Sequence, residues 1–67
     1  MFTKKDFHDY FSQVLALEEE TRDFQISVLQ KLNNPAIKNA MRPILGDERQ
    51  HVELAKKMLQ IVDADNN

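Results

Sequence analysis

The feature that most constrains this chain is one break, Asn33-Asn34-Pro35, between two long stretches whose apolar residues recur every three or four positions. In the first stretch the rhythm runs Phe7, Tyr10, Phe11, Val14, Leu15, Leu17, Thr21, Phe24, Val28, Leu29 and Leu32, with no glycine or proline inside. In the second it runs Ala36, Ile37, Ala40, Met41, Ile44, Leu45, Val52, Leu54, Ala55, Met58, Leu59, Ile61 and Val62. Such spacing predicts helices over about 4–32 and 35–62. Thr3 with Asp6 is an acidic variant of the capping box, and Phe2 and Phe7 stand where a hydrophobic staple places its two residues. At the break, Asn33 suits the left-handed position after a helix, Asn34 an N-cap, and Pro35 the first helical turn. Pro43 removes a bond to the Asn39 carbonyl and bends the second helix, and Gly46 adds slack. The apolar phase continues through Pro43, so one kinked helix is expected. The fold class is an all-α antiparallel two-helix hairpin.

A hairpin of this size is short of core. One core in 67 residues rarely supplies more than about 3–5 kcal/mol, and small domains add disulfides, a metal or a partner. Without cysteine, the disulfide and zinc-thiolate routes are closed. A net charge of −2 gives no electrostatic case for nucleic acid or an anionic membrane. No apolar run suggests a signal peptide or a membrane span. The expectation is a cytoplasmic protein with one domain, residues 1–67, whose last residues, 63–67, form a frayed polar tail.

Three residues stand where solvent-facing groups do not belong. At about 100° per residue the apolar arc of the first helix spans about 200° and includes Glu18, whereas Glu19 lies at its edge and Glu20 points away. In the second helix the arc is centred near Ile44 and Val62 and includes Glu48 and His51, but not Arg49, Gln50 or Glu53. At 1.5 Å per residue Glu18 stands about 23 Å from the turn and Glu48 about 22 Å. His51 is one turn further out but leans back toward the turn, so the three converge. Two inward carboxylates beside a histidine are costly unless protonated or paired with a cation, and no lysine or arginine shares the inward arcs. A divalent metal satisfies all three, since carboxylate and imidazole together suit iron, manganese or zinc. Glu-x-x-His alone is a weak signal, and a lone inward histidine is more often a core residue. Inward phase, equal height and missing cations together favour a metal site over a metal-free hairpin.

One glutamate on one helix and Glu-x-x-His on the next is half the ligand set of ferritin-like di-iron bundles. From Leu17-Glu18 to Asp47-Glu48-Arg49-Gln50-His51 the chain resembles that superfamily, in particular the rubrerythrins and, more closely, the encapsulated ferritins. The likeness covers roughly residues 10–62. It implies a four-helix bundle built from two copies, a homodimer or a higher ring-like oligomer. Glu18, Glu48 and His51 become the ligands of a ferroxidase site with two irons per dimer, one glutamate bridging. Manganese or zinc would substitute in vitro. The resemblance further implies a large aromatic near the site at Phe24, an acid at Glu20 that draws cations in, and an encapsulin shell as partner. Two departures stand out. Leu17 replaces a second such acid, and no apolar targeting extension follows Asn67.

Other residues read more plainly. Asp47 either orients the His51 imidazole or is a rim charge. Tyr10 has either a redox role or, the more ordinary reading, a packing one with its hydroxyl at the rim. His8 reads as surface, and Glu53, Lys56 and Lys57 as a solvated face. Met41 and Met58 read as core fillers. The functional expectation is iron oxidation by dioxygen or peroxide, in storage or detoxification. Its alternatives are a metal-free dimerisation or adaptor hairpin and a rubrerythrin-like peroxidase.

Overall fold

Thr3 opens the first helix because its hydroxyl accepts the Asp6 amide at 3.2 Å while the Asp6 carboxylate accepts the Thr3 amide at 2.8 Å. Both orphan amides are thereby satisfied. The Phe2 and Phe7 rings, 5.8 Å apart, close the staple. The computed structural model describes residues 1–64 as two helices, α1 (Lys4–Lys31) and α2 (Pro35–Ala64). Leu32 caps α1 in an extended conformation, and its amide donates to the Val28 carbonyl at 3.1 Å. Among the described residues none takes positive φ, so Asn33 is not left-handed as its sequence suggested. The extended Leu32 turns the chain instead. Asn34 caps α2 as expected, its side-chain oxygen accepting from the amides of Ala36 and Ile37 at 2.9 and 3.3 Å.

The second helix runs through Pro43 as one element and continues past Val62 to Ala64. Asp63 and Ala64 are therefore helical and not part of a tail, whereas residues 65–67 of that tail lie outside the described residues. Asp63 is held across the hairpin. Its carboxylate meets His8 Nδ1 at 2.8 Å, and its carbonyl accepts from Lys4 Nζ at 3.2 Å. His8 thus has a partner that its own helix does not offer. Among the described residues no helix is long and apolar enough to cross a membrane.

The hairpin is a rod 51 Å long and 16 × 14 Å across. Its radius of gyration of 15.6 Å exceeds the roughly 11 Å of a compact chain this long. Among the described residues only Leu45, Val52 and Ala55 are buried. The apolar arc of α2 is therefore split: its seam against α1 centres on these three, and Ile44, expected near the middle, is exposed. In α1, Tyr10, Leu17 and Phe24 are likewise exposed. Stepping about 100° per residue, these residues and Ile44, Leu54 and Ile61 fall on the same side of the seam, because antiparallel helices reverse their sense of rotation when viewed from one end. One broad face of the rod is apolar and uncovered.

Candidate metal centre

Glu18, Glu48 and His51 meet at mid-length. Each offers a ligand atom, and these atoms lie within 4.8 Å of one another. His51 Nδ1 is 3.4 Å from Glu18 Oε2 and 3.7 Å from Glu48 Oε2. Side-chain exposure falls from 59% at His51 to 29% at Glu18 and 11% at Glu48. The imidazole is thus the outer wall of the cluster and Glu48 its floor. Seam periodicity explains the order, since Glu48 sits between Leu45 and Val52 on the covered side of α2, whereas His51 shares the open stripe with Ile44 and Leu54.

Polar atoms in the cluster lack partners. Glu18 Oε2, Glu48 Oε1 and, a further two turns along α1, Gln25 Oε1 are buried without a hydrogen bond. An unmet buried acceptor is disfavoured by about 1–3 kcal/mol. Two ionised carboxylates are acceptors only, and a proton between them converts repulsion into a hydrogen bond. The hydrogen bond a protonated Glu48 can make to Glu18 raises its carboxyl above the usual glutamate value, burial pushes it the same way, and His51 opposes both. Among the described residues no lysine or arginine pairs with either carboxylate. Arg22, one turn after Glu18 and by its phase inside the apolar arc, corrects the expectation that no arginine shares it; it is 26% exposed, but its guanidinium turns to Glu19 at 3.9 Å and Asp23 at 3.1 Å. Its charge is thereby directed to these two carboxylates and not to the inward pair. A divalent cation fits the donor set, offering positive charge where acceptors outnumber donors.

The cluster opens on the apolar face. A groove of about 190 Å³ beside it is lined by Phe11, Val14, Leu54 and Met58 together with Glu18 and His51. Phe24 is not among these residues and lines a separate shallow pocket with Leu17, Glu20 and Thr21. Asp47 is exposed and, among the described residues, makes no hydrogen bond or ion pair with His51. Tyr10 is exposed and stacks edge-on against Phe11 at 5.1 Å. Gln25, seven residues from Glu18, lies on the same stripe as its sequence position implies.

No protein-family model matches the sequence, and no curated protein and no solved structure resembles it significantly.

Proposed function

We propose that two copies of this hairpin pack by their apolar faces into a ferritin-like four-helix bundle, in which Glu18, Glu48 and His51 of both copies bind Fe(II) as substrate and promote its oxidation. The observation that carries this reading is the cation-free trio itself, two carboxylates and an imidazole converging on one point at the centre of an uncovered apolar face. Charge supports the stoichiometry: two half-sites hold four carboxylates, whose charge two divalent ions cancel. Position supports the pairing. Glu18 lies fourteen residues after Lys4 and thirteen before Lys31, so the site sits at the middle of the rod. A two-fold axis through that point aligns both the half-sites and the full lengths of two copies. Residues 24–46 hold Lys31, Lys38 and Arg42 and no acid, while ten of the eleven acids lie in 1–23 and 47–63. An antiparallel pairing therefore sets the positive turn end of one copy near the negative open end of the other as a long-range term only, since Lys38 and Arg42 themselves lie on the side of the rod away from the apolar face.

In this reading Glu48, the most enclosed ligand, stabilises the higher charge of ferric iron, and His51 closes the solvent side when the second copy covers it. Bound Fe(II) supplies the electrons, one from each ion, that reduce dioxygen or peroxide taken from solution. The apolar walls Phe11, Val14, Leu54 and Met58 limit water around the carboxylates and strengthen their hold on cations. The raised Glu48 carboxyl also favours a second reading, a metal-free dimerisation hairpin whose glutamates share a proton. Aerobic addition of Fe(II) separates the two. Growth of the near-ultraviolet oxo-ferric absorption, lost in Glu48→Ala and His51→Ala, is the expected result, and oxidation no faster than in buffer refutes it. Repeating the assay with peroxide under nitrogen identifies a rubrerythrin-like preference.

A further inference from the structure

On the opposite side of the rod from the metal centre, α1 and α2 enclose an open groove of about 270 Å³ with a different character. Its floor is apolar, from Ile26, Leu29 and Leu45, and its rim carries Lys38, Arg42 and Arg49. Lys38 and Arg49 have no acidic partner among the described residues, and Arg42 bonds only to the neutral side chain of Asn39. The nearest acid on that side of α1 by helical phase is Glu19, which is engaged with Arg22. This is a concentration of positive charge in a chain whose net charge is −2. From Lys38 to Arg49 the cations span about 16 Å along the helix axis, a track rather than a single point of convergence. A lone oxyanion cannot touch such a row at once, and an apolar floor gives it no stabilisation. An extended anion carrying its own apolar side chains satisfies both.

We propose that this groove binds an acidic amphipathic helix of a partner protein, its apolar stripe on Ile26, Leu29 and Leu45 and its carboxylates on Lys38, Arg42 and Arg49. Two antiparallel helices present the cleft into which a third helix lays its apolar stripe, and the cationic rim selects an acidic partner. Because the groove lies across the rod from the apolar face, it remains open when two copies pair. The inference is independent of the metal reading.

The probe is a fluorescently labelled helical peptide with leucine and glutamate at i, i+3 and i+4 spacing, titrated with the full chain and followed by anisotropy. Saturable binding that weakens with added salt and by at least about tenfold in Arg42→Glu/Arg49→Glu is expected, equivalent to about 1.4 kcal/mol. Unchanged helical circular dichroism and an unchanged thermal midpoint show that the variant retains its fold. No binding, binding indifferent to the charge reversal, or equal binding of a lysine-for-glutamate peptide overturns the proposal. Displacement of the peptide by millimolar inorganic phosphate, or preferential capture of the chain by phosphatidylserine vesicles, overturns it in favour of a bare anion or a membrane surface.

Discussion

Filling the metal centre should raise the stability of this chain more than any single side-chain change can. The perturbation is Mn(II), a redox-stable stand-in for Fe(II), added under nitrogen to protein stripped with chelator. At a free metal concentration a hundredfold above the dissociation constant, a ligand that binds only the folded state adds about 2.7 kcal/mol. A chain this short shifts its Tm by about 4–8 °C per kcal/mol, so the expected rise is about 10–20 °C. With three buried residues in the seam and a core worth about 3–5 kcal/mol, such an addition approaches the stability of the hairpin itself. The control is Glu48→Gln, which keeps the shape of the least exposed ligand but removes its charge. The metal-free Tm of that variant should equal or exceed that of the parent, because an inward carboxylate has gone, while its Mn(II) shift should collapse. Thermal melts followed by far-ultraviolet circular dichroism read both quantities. A parent Tm unmoved by millimolar Mn(II), or moved equally in Glu48→Gln and His51→Ala, would refute the assignment of these residues as ligands.

Three further outcomes follow from the same geometry. A Cβ added at Gly46 meets nothing within 4 Å, so Gly46→Ala should stabilise the helix by about 0.5–1 kcal/mol, and a denaturation midpoint that falls contradicts it. Val52 is 1% exposed, and Val52→Ala removes about two methylene equivalents and leaves a void, a loss of about 2 kcal/mol that urea titration reads directly. The pH dependence of the metal-free protein has a determined sign. The raised Glu48 carboxyl contributes stability that is complete below the ordinary glutamate value and lost as pH rises through the raised one. Asp6, held below the usual carboxylate range by the Thr3 amide, contributes stability that is lost only as pH falls below that range. The Tm of stripped protein should therefore fall between mildly acidic and neutral pH, and Glu48→Gln should flatten that slope. A parent Tm that climbs over this interval would show that the carboxylates do not share a proton.

The helix starts and the convergence of Glu18, Glu48 and His51 were legible in the sequence because both rest on local rules. Capping at Thr3 and Asn34 and the phase and height of Glu18, Glu48 and His51 need only helical geometry and one turn. What was not legible depends on which neighbour covers a given face. An apolar arc wide enough for two partners does not reveal which half the sister helix takes, and so Ile44 was placed at the centre of a seam that belongs to Leu45, Val52 and Ala55. His8 and Asp63 are 55 residues apart and find each other only because α2 outlasts its apolar rhythm. Arg22 lies on the inward arc of α1 one turn after Glu18, and only the structure shows its guanidinium turned to Glu19 and Asp23 instead of the two inward carboxylates. Asn33 has the chemistry of a left-handed residue, but Leu32 had already turned the chain. The cationic groove lies on the polar side of both helices, where periodicity is silent and only the pairing of the two helices brings the charges to a shared apolar floor.

The central claim is that one chain is half a site and that a second copy supplies the other half. Native mass spectrometry of protein loaded anaerobically with Fe(II) measures chain count and iron count on the same particle. The account requires an even number of 7.8 kDa chains carrying one iron each, with both the pairing and the iron weakened in His51→Ala. A monomer that carries iron, or an oligomer of unchanged mass that carries none, would contradict it.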